Sequence, residues 1–143
     1  MKYKTLGQIL SCNPCYSEKK IIKLLAGRKK ISAQAILKLD IPDKDKIWAV
    51  LRFEYFSQKE LVLIACEIAM TTLSIFEKKY PEDRRPRDAI KAARKWVKNP
   101  SKDNHFAAAT ANAAANAAAA AAKKDQHKKN IKIIKKYLRK AVK

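Results

Sequence analysis

Residues 57–70 read Ser57-Gln58-Lys59-Glu60-Leu61-Val62-Leu63-Ile64-Ala65-Cys66-Glu67-Ile68-Ala69-Met70, and this stretch decides the fold class. Ser57 and Glu60 stand three positions apart ahead of an apolar run. At that spacing the serine hydroxyl accepts from the N3 amide while the glutamate reaches back to the N-cap amide, so two orphan donors of a new helix are satisfied together. The following residues are apolar almost all round, which predicts a buried central helix over Leu61–Met70. The run is too short to span a bilayer and carries Glu67. The helix is expected to continue to about Tyr80, where Pro81 stops it.

Toward the N-terminus the same punctuation recurs on a smaller scale. Thr5 is placed to cap a helix through Leu10, and Ser17 to cap one with Glu18 in its first turn and Gly27 at its end. Ile21, Ile22, Leu24 and Leu25 give the second of these an apolar side. Ser32 opens a third, carrying Ile36, Leu37 and Leu39. Asp40-Ile41-Pro42-Asp43 is a break, with Asp43 as the expected cap of a helix that holds Ile47, Trp48, Val50, Leu51 and Phe53. Toward the C-terminus, Asp83-Arg84-Arg85-Pro86-Arg87 starts a helix with Asp83 as the expected N-cap and a proline in the first turn. Ala89, Ile90, Ala93, Trp96 and Val97 form its apolar face. Arg84, Arg87, Lys91, Arg94, Lys95 and Lys98 fall on the opposite side, and Asn99-Pro100 ends it. Ser101 then caps a final helical segment. Thirteen of the 16 residues from Ala107 to Ala122 are alanine, the best helix former, with Asn112 and Asn116 on one face. The segment runs on into a lysine-rich end where Ile131, Ile134, Leu138 and Val142 recur at helical spacing, either unbroken or with a hinge near Lys123–Gln126.

The expected fold is therefore all-α, a single compact multi-helix domain with a long Ala-rich C-terminal helix. Residues 1–46 form a basic N-terminal helical segment, 47–100 a helical core with the arginine-rich motif, and 101–143 the Ala-rich then Lys-rich helix. Only two glycines occur in 143 residues, too few for the turns of a β-rich domain. A hydrophobic share of 48% excludes a charged disordered chain. Residues 1–20 show neither the apolar core nor the cleavage site of a signal peptide, which points to a cytoplasmic protein with no membrane role.

The net charge is +20, from 33 basic against 13 acidic residues. Self-repulsion on that scale is relieved by an anionic partner. Composition alone offers a plainer account, since 26 of the 33 are lysine and a Lys- and Ile-rich chain can follow from an AT-rich genome. The arginines are distributed differently. Four of the seven lie between Arg84 and Arg94. Arginine offers a planar fork that grips carboxylate or phosphate in a bidentate way, so Arg84, Arg85, Arg87, Lys91, Arg94 and Lys95 are the candidate anion- or partner-binding residues. The alternative is structural, with Arg84 or Arg87 paired to Glu82, Asp88 or a buried Glu67. A second basic set, Lys128, Lys129, Lys132, Lys135, Lys136 and Arg139, lies on the C-terminal helix. It suits a nucleic-acid backbone or an acidic groove, although Tyr137 alone makes a poor base-stacking platform. Lysines flanking a docked Ile/Leu stripe read equally well as a solvated face.

Catalysis has no support. The histidines have no paired nucleophile, and glycine-rich phosphate loops and zinc-protease or serine-hydrolase motifs are absent. Cys12-Asn13-Pro14-Cys15 lacks the strand-then-helix context of a redox motif. A zinc site would need further ligands from the scattered Cys66, His105 and His127. No metal or cofactor is expected, and Pro14 reads as the stop of the first helix. The alanine run suits either a tight packing seam, including a homodimer through that helix, or an exposed helix of high propensity.

The stretch Tyr80-Pro81-Glu82-Asp83-Arg84-Arg85-Pro86-Arg87-Asp88-Ala89-Ile90-Lys91-Ala92-Ala93-Arg94-Lys95-Trp96, followed by an Ala-rich helix, resembles the small "putative immunity protein" family of bacterial and phage genomes. The resemblance covers roughly residues 47–143 and carries over Asp83, Arg85, Pro86, Arg87, Ala89, Ile90, Ala93, Arg94 and Trp96. It implies a non-enzymatic inhibitor that neutralises a toxin by direct binding. An anti-defence role is equally implied: blocking a nuclease or a CRISPR-effector-like complex, or acting as a sponge for a phosphorylated nucleotide signal. The expected partner is an acidic protein or nucleoprotein complex, with direct binding to DNA or RNA as the alternative. This chain is far more basic than its relatives and carries asparagines in the alanine run.

Overall fold

Hydroxyl side chains mark where the helices begin. In a computed structural model, which describes residues 2–100 and 124–141, Thr5, Ser17, Ser32 and Ser57 each accept from a backbone amide three residues on. Thr5 with Gln8 and Ser57 with Glu60 complete capping boxes. Helices α1 (Leu6–Leu10), α2 (Glu18–Leu25), α3 (Ala33–Ile36), α4 (Asp43–Arg52), α5 (Gln58–Lys79), α6 (Arg85–Lys98) and α7 (Lys124–Ala141) make up 69% of the described residues. The fold is all-α, as the sequence predicts. No helix among the described residues is long and apolar enough to cross a membrane. The cap at Ser101, the Ala-rich helix with Asn112 and Asn116, its continuation into α7, and Val142 lie outside the described residues.

The chain forms two compact units, one of residues 1–56 with 134–143 and the other of residues 57–133. In the first, β1 (Tyr3–Thr5) pairs antiparallel with β2 (Lys30–Ser32), Lys4 opposite Ile31. This small sheet carries no alternating signature in the sequence, because each strand is three residues long. Each strand ends on the residue that caps the next helix, Thr5 for α1 and Ser32 for α3, so strand and helix share one hydroxyl residue. The Tyr55 hydroxyl donates to the Ile31 carbonyl at 2.9 Å, and burial pushes its phenol pKa up. Ile9, Ile21, Leu25, Ile31, Ile36, Val50 and Phe53 are buried in this unit, whereas Ile22, expected on the apolar side of α2, is exposed. Gly27 takes a positive φ of 78° just after Ala26 ends α2 in the left-handed region, the helix stop its position predicts. The third helix is shorter than expected and ends at Leu37.

Two expected caps fall one residue away from where they were placed. Pro42 is the N-cap of α4 and makes no side-chain bond, so Asp43 is the first helical residue and favours the helix by charge instead. Arg84 occupies the N-cap of α6, with Asp83 just before it.

In the second unit α5 packs on α6. Val62, Ala65, Cys66 and Leu73 from α5 meet Ile90, Ala93 and Trp96 from α6, with Ala69 and Val97 alongside. These positions recur three or four apart, so each helix turns one stripe toward the other. Small residues at Ala65, Ala69 and Ala93 let the helices approach, and Trp96 fills the end of the seam. Ile64 and Ile68 are buried as well. The burial does not extend through Met70, which is exposed, and Glu67 is half-buried rather than buried.

Candidate functional site

The arginine motif begins at the turn between α5 and α6. Tyr80 ends α5, Pro81 cannot continue it, and Asp83 turns back on the chain. Its carboxylate accepts from the Arg85 backbone amide at 3.1 Å, so it caps α6 from outside the helix. The same carboxylate takes the Arg85 guanidinium in a fork, with Nε at 2.9 Å from Oδ1 and Nη2 at 2.6 Å from Oδ2. One turn in, Arg87 makes the matching fork with Glu77 on the last turn of α5, at 2.7 and 2.8 Å. The guanidinium bonds hold both carboxyls below their usual ranges and the two arginines above theirs. The structural pairing considered for this motif is therefore present with different partners: Asp83 and Glu77, not Glu82, Asp88 or Glu67.

The remaining basic residues of α6 are arranged otherwise. Arg84, Arg87, Lys91, Arg94, Lys95 and Lys98 recur at helical spacing along an arc of roughly 100°, opposite Ile90, Ala93 and Trp96. All six are exposed. Among the described residues Arg84, Lys91, Arg94 and Lys95 have no carboxylate within ion-pair distance. Arg85 stands apart from this arc, folded onto Asp83. Among the described residues the face is thus a row of cations without ion-pair partners, with Arg87 locked at its head by Glu77.

The basic residues of α7 also line up. Lys128, Lys129, Lys132, Lys135, Lys136 and Arg139 are all exposed, while Asn130, Ile134, Tyr137 and Leu138 are buried. Ile131 is only half-buried. Tyr137 has its ring beneath Lys140, 5.4 Å from the ammonium, and is a packing residue rather than a base platform. Asn130 is completely buried. Its Oδ1 accepts from Gln126 Nε2, which also donates to Thr71 Oγ1 on α5, while its Nδ2 has no partner among the described residues. Nothing in the local pattern announces this polar cluster, since Asn130 sits in a run of lysines.

Residues 51–137 match the family described as "Imm-5 like putative immunity protein". The chain belongs to that family. The matched span holds α5, the Asp83–Arg85 and Arg87–Glu77 forks, the basic face of α6 and most of α7, and leaves out the sheet and helices α1 to α3. Membership of an immunity family implies binding to a partner protein. Comparisons with curated proteins and with solved structures give no match. Among the described residues no three His, Cys, Asp or Glu side chains are grouped to hold a metal ion. Cys12 and Cys15 are free thiols.

Proposed function

We propose that this immunity-family protein is a non-enzymatic inhibitor that binds an acidic protein or nucleoprotein partner, a toxin or nuclease, through the basic face of α6. The observation that carries the reading is the row Arg84, Lys91, Arg94 and Lys95: exposed, lacking carboxylate partners among the described residues, and mounted on a helix anchored from behind by Trp96, Ala93 and Ile90. A rigid helix presenting several unpaired cations loses little side-chain order on binding beyond the lysine and arginine rotamers themselves. Such a face speeds and orients encounter with an acidic surface. A phosphorylated nucleotide has less support at the same place. The first amide of α6 and two of its arginines already hold carboxylates, which a phosphate would have to displace.

The second reading, direct nucleic-acid binding, draws on the exposed lysine face of α7. A photo-activated crosslinker placed at Lys98, exposed on the same face, tests both at once in the native host. The expected product is a crosslink to one acidic protein, lost in a Lys91→Glu/Arg94→Glu/Lys95→Glu variant that melts as the wild type does. Binding to arbitrary DNA or RNA that weakens linearly with log salt, and that follows the α7 lysines, would replace this proposal with the second reading.

A further inference from the structure

The first unit contains a cavity of about 290 Å³ that the binding face of α6 does not use. Its walls come from α2, α3, α4, the residues flanking α4 and the Pro14–Tyr16 loop, among them Ile21, Leu25, Ile36, Ile41, Trp48 and Phe53. It is a half-open pocket rather than a sealed void. It has room for about ten waters at ~30 Å³ each, yet its lining offers them few polar partners. A space of this kind is at the lower end of ligand-binding volumes, and its chemistry selects an apolar body.

The mouth adds a charge preference. Cys15, Lys44 and Trp48 line the cavity and are exposed, Trp48 at 39%, with its ring held edge-on against Phe53 at 5.6 Å. Asp45 also lines it, but its carboxylate already accepts from the Tyr16 hydroxyl at 2.5 Å. Lys20 places its ammonium 3.8 Å from the centroid of the same Tyr16 ring. Lys44 therefore brings an exposed basic side chain to the lining, where the one carboxylate already accepts the Tyr16 hydroxyl.

We infer that this cavity binds a small amphipathic carboxylate, with an apolar body of about ten non-hydrogen atoms inside and its charged end at Lys44. All but Phe53 of the lining residues precede the family-matched span, so the site belongs to the part of the chain that the family match does not cover. It stands independently of the inhibitor reading.

Decanoate, held below its micelle-forming concentration, is the probe, with decanol as its uncharged counterpart and acetate as the charge without the chain. A Trp96→Phe variant of the full chain leaves Trp48 as the sole tryptophan, so its emission reports the mouth directly. Saturable quenching or shift by decanoate is expected, with amide shifts confined to residues 9–53. Lys44→Glu is expected to weaken decanoate about fivefold, as one exposed charge pair allows, and to leave decanol unchanged. Leu39→Phe, which narrows the cavity from a half-buried wall position without adding a second tryptophan, is expected to weaken both. Non-saturating binding overturns the inference, as do amide shifts that map to the lysine faces of α6 and α7, equal competition by acetate, or indifference to Lys44→Glu.

Discussion

Arg87 and Arg84 are three positions apart on neighbouring turns, yet they answer to different demands. Arg87 forks onto Glu77 and ties the start of α6 to the end of α5, whereas Arg84 is exposed and has no carboxylate within ion-pair distance among the described residues. Arg87→Ala and Glu77→Gln are therefore expected to lower the melting temperature by similar small amounts, and the double variant by little more than either. Arg84→Ala, Lys91→Ala and Arg94→Ala should leave it almost unchanged, and thermal unfolding checks the contrast. The same forks make an acid-side prediction. Glu77 and Asp83 have folded-state pKa values below their ordinary 4.5 and 3.8. The stability they contribute is present above those ordinary values and is lost as pH falls through the lowered ones. Unfolding measured from pH 5 downward should show this loss, and Glu77→Gln should remove its share. Tyr16 behaves in the opposite sense: its hydrogen bond to Asp45, with burial and that carboxylate's charge, raises its pKa from 10.0 to about 12. Its contribution is present below 10.0 and is lost as pH climbs toward 12, so Tyr16→Phe should flatten the alkaline limb between them. Among the cysteines, burial pushes the Cys66 thiol up and out of reach of reagents. A thiol-specific reagent should label Cys15 rapidly, Cys12 more slowly, and Cys66 only after unfolding.

At the scale of elements, α5 and α6 depend on features of unequal weight. The Ser57 cap and its Glu60 partner hold the exposed start of a 22-residue helix. Ser57→Ala should cost about 1 kcal/mol, the usual value of an N-cap hydroxyl. Trp96 is buried in the α5–α6 seam with Ala93 and Ile90. Trp96→Ala should cost roughly 3–5 kcal/mol, which denaturant unfolding can measure. Helix α7 is amphipathic by composition, but its buried stripe includes Asn130, whose amide Nδ2 has no hydrogen-bond partner among the described residues. That arrangement favours a specific register over maximal stability, because a buried unpartnered donor costs about 1–3 kcal/mol.

At the scale of the whole molecule, charge and helix content make the predictions. Far-UV circular dichroism should be dominated by helix, in keeping with 69% of the described residues, and should not respond to reductant or chelator. A net charge of +20 means that weak attraction to any polyanion is expected at low salt. What separates an inhibitor from a nucleic-acid binder is the salt slope: modest for one acidic protein partner, steep and sequence-blind for DNA or RNA.

Local chemistry determined much of this protein from its sequence alone. Thr5, Ser17, Ser32 and Ser57 announce their helices because an N-cap bond spans only three residues, and Pro81 and Gly27 end theirs through their own backbone geometry. The apolar stripes of α5 and α6 were equally legible, since helical periodicity is a property of neighbours in sequence. The cationic face of α6 follows from the same periodicity. Tertiary structure decided the rest. Two three-residue strands exist only because Lys4 and Ile31 are brought opposite each other across 27 positions of chain. The partner of Arg87 is Glu77, rather than the nearer Asp88 or Glu82, because the turn after Tyr80 reverses the chain and sets the two helix ends side by side. The cavity of the first unit depends on side chains from Ile9 to Phe53 failing to fill one volume, and no short window of sequence records a shortfall in packing.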